Sequence, residues 1–351
     1  MRQVWIERIG GPEVLTLREA PDPTPAASEV RIRVAASGVN FSDVLARLGR
    51  YQDAPPLPAV IGYEVAGVVD ALGPDAVGGE RSEGSLAPGD AVVALTRFGG
   101  YSDVVCVPAA QVIRRPPGMD ARIGAAFSLA YGTAYALLIE VGRIRAGDRV
   151  LVRGAGGGVG LAALDICGLH GVETFGTASA KKHAFLRQRG LTHPIDPSET
   201  DVVAEVRRLT ANVGVDLVLD PIGGRSWRDS LALLAPLGKL AVYGFSAMAP
   251  DVSPSRVRSA ASVASALAQV PWLQFNPISL MNANRGVQGL NLGHLWDRWY
   301  LFRQWFDTLL RWYEEGKLQP HVDRDFPLAD AAAAHRYVQE RRNLGKVVLI
   351  P

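Results

Sequence analysis

The hydrophobic pattern changes character near residue 122. Before it, short runs such as Glu29-Val30-Arg31-Ile32-Arg33-Val34 alternate with the period of a half-buried strand, and Pro/Gly clusters near 21–25, 55–58 and 73–89 punctuate them. Within the last cluster, Pro74 to Gly89 reads as an exposed loop. After residue 122, apolar strand-length runs alternate with helical stretches. Arg149–Val152, Glu173–Thr177, Asp216–Asp220 and Lys239–Tyr243 read as buried strands. Leu161–Cys167 and Lys181–Arg189 read as helices between them. Strands separated by helices predict a parallel, doubly wound α/β sheet behind a β-rich N-terminal part. Residues 251–283 break the alternation and read as irregular helical material, a lid or an insertion. Val287–Leu292 is a candidate last sheet strand, and Gly345–Ile350 a terminal strand.

Between them, Leu295, Trp299, Phe302, Phe306, Leu309 and Tyr313 recur at helical spacing and predict a core-facing stripe. Trp296, Tyr300, Trp305 and Trp312 lie off that stripe. They widen it, line a pocket or meet a second subunit, with burial in the core the first expectation.

The segment Gly154-Ala155-Gly156-Gly157-Gly158-Val159-Gly160 joins the first of these strands to its helix. Glycines let backbone approach a pyrophosphate, and the helix N-terminus presents unpaired N–H groups and a positive dipole end to it. Four glycines in five positions are costly for a turn with no ligand. Ala155, Gly157, Gly158, Val159 and Gly160 are therefore expected to hold a dinucleotide. In folds that select NAD, an acid about 20 residues further on holds the ribose hydroxyls. Here that position reads Thr177-Ala178-Ser179-Ala180-Lys181-Lys182. A hydroxyl and ammonium groups in place of a carboxylate favour a 2′-phosphate, so NADP(H) is the expected cofactor, with Thr177, Ser179 and Lys182 contacting it. Tyr243-Gly244-Phe245 ends a sheet strand, where the nicotinamide is expected.

Composition narrows the picture further. The 351 residues suit about two domains. A net charge of +2 gives no reason to expect a nucleic-acid or anionic-surface partner. There is no stretch of about 18 consecutive apolar residues, so no membrane span is expected. The first seven residues lack the apolar core of a signal peptide. Two cysteines, Cys106 and Cys167, exclude a disulfide framework and fit a reducing cytoplasm.

The chain resembles the medium-chain dehydrogenase/reductase superfamily in its zinc-free quinone oxidoreductase branch. Gly38-Val39-Asn40-Phe41-Ser42-Asp43, Leu48–Tyr51, Gly62–Val69 and Tyr131–Tyr135 carry that resemblance. Phe175–Ser179, Asp220–Gly224, Ala283–Arg285 and Arg342–Val347 carry a narrower similarity to the synaptic vesicle membrane protein homologues of that branch. The resemblance implies a GroES-like domain formed by residues 1–122 and 293–351, and a Rossmann domain over 123–292, with ligands in the cleft between them. It implies that Thr133 contacts the nicotinamide and that Asn343 and Lys346 reach the cofactor from the tail. Asn40 is implied to hold either the nicotinamide carboxamide or the substrate carbonyl. Tyr51, a candidate acid, and Tyr63 stand with Asn40 as the catalytic candidates, and Tyr51, Tyr63 and Tyr131 are implied to face the substrate pocket. His321 is expected to be structural.

The superfamily's zinc-dependent members take a Cys and a His where this chain has Asn40 and Tyr63, neither a usual zinc ligand. Glu64 alone is insufficient, and its expected role is to order the cleft. Without a Lewis acid, reduction of a conjugated carbonyl is the favoured chemistry, because the enolate needs only hydrogen-bond donors and a proton. The expected activity is thus NADPH-dependent reduction of a quinone, enone or enoyl thioester. A specialised biosynthetic reductase and an NADP(H)-binding protein with little turnover stay open. A homodimer joined through the edge strand at Val287–Leu292 is expected.

Overall fold

The structure is a computed structural model, and it describes residues 1–76, 85–249, 268 and 275–351. Its centre is a six-stranded sheet, in spatial order His193–Ile195, Glu173–Thr177, Arg149–Val152, Val215–Asp220, Leu234–Val242 and Gly286–Gly289. Every pairing in it is parallel. Numbered along the chain, this is the 3-2-1-4-5-6 order of a dinucleotide-binding sheet. The order reverses between Arg149–Val152 and Val215–Asp220, which opens a crevice at their carboxyl ends. Val150, Leu151, Val152, Val218 and Leu219 are fully buried, because helices cover both faces.

A second, seven-stranded sheet contains Glu29–Val39, Glu64–Leu72, Ala91–Leu95, Val104–Pro108 and Val112–Arg114. The chain's tail returns to it: Lys346–Ile350 pairs antiparallel with Glu29–Val39, and Val322–Pro327 lies beside Lys346–Ile350. A smaller three-stranded sheet holds Arg2–Ile6.

The Ala121–Tyr135 helix, continued as a wider-turned π segment over Ala136–Gly142, packs against both large sheets. Although Arg122 and Glu140 interrupt its apolar run, this stretch is long and apolar enough to cross a membrane by length and composition. It is instead a core helix, since 72% of its most apolar window is buried inside the protein.

Several boundaries differ from the expectations. The strand expected over Val287–Leu292 is Gly286–Gly289; Leu290 N–H still bonds Val242 O, and a 3-10 turn begins at Leu292. The aromatic helix is Trp299–Glu314, with Phe302, Phe306 and Leu309 buried as expected. Trp305, off the expected stripe, is buried as well, because its indole N–H reaches Glu140 Oε1 at 2.9 Å. Of the irregular region expected over 251–283, all but 268 and 275–283 lies outside the described residues, and Pro277–Ala283 is a short helix. In the expected 74–89 loop, residues 77–84 lie outside the described residues, while Ala76 and Leu86 are buried against the second sheet.

Candidate active site

One cleft of about 1530 Å³ gathers most of the residues singled out in the sequence. Along one side run Gly154, Gly156, Gly157, Gly158, Val159 and Gly160. Gly157 caps the Gly158–Leu169 helix without a side-chain cap, so the N–H groups of residues 158–160 stay open. The glycines serve different ends. Gly154 adopts φ +69°, where a side chain is strained. A Cβ on Gly158 would stand 2.6 Å from Lys346 Cδ, and one on Gly160 2.5 Å from Ala155 O. Those two are required by packing, whereas a Cβ on Gly157 would meet only Gly154 O at 3.5 Å. Ala155 is not at the surface of the cleft: it is fully buried beneath the turn, so it supports the site without touching a ligand.

Thr177, Ser179, Lys181 and Lys182 follow at the end of the next strand. Thr177 Oγ1 accepts from Gly154 N–H at 3.0 Å and so shapes the glycine turn. Lys182 Nζ donates to Asn343 O at 2.5 Å and Arg341 O at 2.9 Å, tying the tail to the cleft rim. An ammonium has three donors, so one is left for an anion. Asn343 reaches the cleft too, but its side-chain N–H turns back onto Gly345 O at 2.7 Å.

Asp196 also lines this end, and the sequence offered no sign of it because it closes a strand of three residues. Its carboxylate accepts from Ala180 N–H, Ser198 N–H and Ser198 Oγ. The Ser198 bonds, foremost, hold it below the usual carboxylate range.

Deeper in, four segments converge. Asn40 caps the Phe41–Arg47 helix, Glu64 opens its strand, Leu129 lies on the long helix and Lys346 opens the last strand. Lys346 Nζ donates to Glu64 Oε1 at 2.6 Å, Asn40 Oδ1 at 2.7 Å and Val39 O at 3.2 Å. Glu64 Oε1 also accepts from Asn40 Nδ2 at 3.1 Å, and Oε2 from Leu129 N–H at 2.8 Å. A Cβ on Gly38 would fall 2.4 Å from Glu64 Oε1, which explains a glycine there. On its other side, Asn40 N–H donates to Asp43 Oδ2, which also accepts from Tyr101 OH. Burial pushes the Asp43 carboxyl up to about 7.

Tyr51 and Tyr63 line the cleft edge to face, their ring centroids 5.8 Å apart. Burial pushes the Tyr51 phenol up to about 12, and the Tyr63 phenol higher still. The Tyr63 hydroxyl is fully buried, with the Tyr51 hydroxyl as its neighbour. The Tyr51 loop is held by Asp53, which accepts from Asn291 Nδ2 and His294 Nε2. Thr133, Tyr243, Gly244 and Phe245 line the cleft nearby, with Phe245 stacked on Trp227 at 5.1 Å.

Tyr131 is a correction. It faces away from the cleft, stacks on Phe127 at 4.6 Å and donates its hydroxyl to Asp165 Oδ2 at 2.6 Å. It stands two residues before Thr133, and a helix turns those two side chains to different faces. His321 packs beside Phe185 outside the cleft lining, as expected of a structural residue.

The 3-2-1-4-5-6 sheet, the β-rich domain beside it and this cleft are the architecture of a nucleotide-binding oxidoreductase family. Residues 26–117 match the alcohol dehydrogenase GroES-like domain and residues 189–349 the zinc-binding dehydrogenase family. A synaptic vesicle membrane protein VAT-1 homolog from Rattus norvegicus is 38% identical over 100% of this chain and 84% of its own length. Human quinone oxidoreductase is 30% identical over 100% of this chain and 98% of its own. The crystal structure of Escherichia coli quinone oxidoreductase complexed with NADPH superposes with a TM-score of 0.83 at 26% identity, covering 100% of both chains. The chain belongs to the medium-chain dehydrogenase/reductase superfamily, an oxidoreductase family that binds NAD(P).

The zinc implied by the matched family's description does not suit the donors present. Asn40, Tyr63 and Glu64 would offer an amide, a phenol and one carboxylate, and that carboxylate already faces the Lys346 ammonium. Among the described residues, no three His, Cys, Asp or Glu side chains are grouped to hold a metal ion.

Proposed function

We propose that the protein is a zinc-independent, NADPH-dependent reductase of a conjugated carbonyl: a quinone, an enone or an enoyl thioester. The observation that carries this reading is the pair of phenols, Tyr51 and Tyr63, set edge to face in the lining of the cleft that also holds the glycine turn. A half-buried phenol kept protonated there can donate a hydrogen bond to an acceptor's carbonyl oxygen as charge develops on it.

The cleft fits the cofactor, since the glycine turn leaves bare backbone and open N–H groups along one wall. Gly157, Gly158, Val159 and Gly160 would hold the pyrophosphate. Ser179 and the third donor of Lys182 would hold the 2′-phosphate. Thr133, Tyr243, Gly244 and Phe245 would flank the nicotinamide. When bound, NADPH supplies a hydride to the acceptor and leaves as NADP+, and one proton from the protein or solvent completes the reduction. As the hydride arrives, charge builds on the acceptor's oxygen. Tyr51, kept protonated by burial and packed against Tyr63, donates a hydrogen bond to that oxygen instead of repelling it. The proton then passes from Tyr51, the half-buried member of the pair, which solvent can reprotonate.

Asn40 takes a different part. Its amide protons face Glu64 and Gly38, so it is left as an acceptor. An acceptor suits the nicotinamide carboxamide N–H and cannot polarise a substrate carbonyl. Lys346, held against Glu64, positions Asn40. The domain division at 122 and 293, and a cytoplasmic location resting on the free thiols of Cys106 and Cys167, belong to the same proposal.

Purified protein assayed for NADPH oxidation with a quinone, an enone and an enoyl-CoA, alongside NADPH affinity, tests it. Turnover of at least one acceptor is expected. Tight NADPH binding with no turnover of any would make the protein an NADP(H)-binding protein.

A further inference from the structure

Beyond Thr133 and Leu290, the cleft lining continues over Val141, Leu295, Trp296, Leu301, Phe302 and Trp305. Phe302 and Trp305 are buried and form a floor; Trp296 and Leu301 are half-buried above it. These rings brace each other. Phe302 stands 5.1 Å from Trp305 and 4.7 Å from Trp299, and Trp299 stands 5.2 Å from Trp296, centroid to centroid. Trp296 and Phe302 are nearly parallel, at 7°. The indole of Trp305 is further pinned by Glu140. A wall of rings fixed by contact and hydrogen bond does not fold in to fill the adjoining space.

The charge of this end is as informative as its shape. The segments 136–141 and 295–305 bring a single charged residue to the lining, Glu140, and it is acidic. Lys181, Lys182, Arg341 and Lys346 reach the cleft from the glycine-turn side and the tail. A coenzyme A thioester would need cations for its phosphates, and among the described residues these two segments bring none to the lining. A flexible acyl chain would lose rotamer freedom against a rigid wall, whereas fused rings lose none.

We infer that this aromatic annex selects the acceptor, taking the flat, uncharged, ring-fused part of a polycyclic quinone or aryl enone while the reactive carbonyl stays beside Tyr51 and Tyr63. This rests on the reductase reading for the reaction, but the annex itself is testable without turnover. The binding probe is acridone, a flat uncharged tricyclic carbonyl compound, titrated against full-length protein saturated with NADP+. The kinetic readout is the ratio of kcat/KM for phenanthrenequinone to that for benzoquinone, measured without oxygen. Comparing that ratio between variants cancels the intrinsic reactivity of each quinone.

Trp296→Ala should weaken acridone binding about tenfold and lower the ratio by a similar factor, through loss of a stacked ring. Leu301→Trp, which fills the annex instead of emptying it, should do the same, and its circular dichroism and NADPH affinity verify the fold. Acridone binding that neither variant changes overturns the inference. So does an absence of acridone binding in a protein that reduces benzoquinone, a result that leaves the reductase reading intact. Acridone binding lost in both variants, with no acceptor reduced at all, supports the annex and removes the reductase reading.

Discussion

Lys346 Nζ lies 2.6 Å from Glu64 Oε1, with the two side chains 7% and 0% exposed. Residues from the last strand and from the middle of the second sheet thus form one buried ion pair under Asn40. Removing one partner strands the other charge in the interior. Lys346→Met should therefore cost about 3–5 kcal/mol of stability in urea denaturation. Adding Glu64→Gln to that variant should recover a substantial part, because no uncompensated charge remains. A single variant as stable as the original protein would show the pair to be energetically idle.

Tyr51→Phe separates stability from activity. Tyr51 is half-buried at the cleft, so loss of its hydroxyl should cost no more than about 1 kcal/mol of stability. Loss of the donor to the acceptor's oxygen should lower kcat by about 100-fold. Unchanged turnover would remove Tyr51 from the donor role.

For Lys182→Ala, the expectation is weaker NADPH binding by about 1–3 kcal/mol with little change for NADH. The same lysine holds the tail through Arg341 O and Asn343 O. Equal weakening for both cofactors would mean that this tie, and not phosphate recognition, is its contribution.

Asp43 gives the fold a pH dependence. Burial raises its carboxyl to about 7 in the folded chain, so folding favours the protonated form. Its contribution is complete below about pH 4 and is lost as the pH rises through about 7. Relative to Asp43→Asn, the protein should lose stability across that window, read as the difference in urea midpoints at several pH values. A constant difference would place the ionisation elsewhere.

A homodimer paired through Gly286–Gly289, the last strand of its sheet among the described residues, is expected. Leu290 N–H is spent on Val242 O inside its own sheet, so by alternation along the strand Val287 and Gly289 face the open edge. Gly289→Pro should remove an outward donor and shift a dimer toward monomer in light scattering. A monomeric starting protein at micromolar concentration would end the dimer proposal.

Much of this protein was legible in one dimension. The alternating strands and helices, the glycine turn between Arg149–Val152 and its helix, and the absence of an acid near Ser179 are local patterns. Backbone period, missing β-carbons and charge act over a few residues, so neighbours in the chain suffice to read them. The signatures around Asn40 and Tyr51 lie in segments that line the cleft. What they do there was decided by the tertiary structure. Asn40 became an acceptor because Glu64 and Lys346 arrive from elements far apart in sequence. Tyr131 turned from the cleft to Asp165, while Trp305, off the apolar stripe, was drawn inward by Glu140. The Tyr63 hydroxyl is buried because segments distant in sequence cover it. Local pattern thus determined the α/β fold class and the nucleotide-binding turn, whereas desolvation and long-range hydrogen bonding, which depend on which distant side chains meet, decided the chemistry each cleft residue retains.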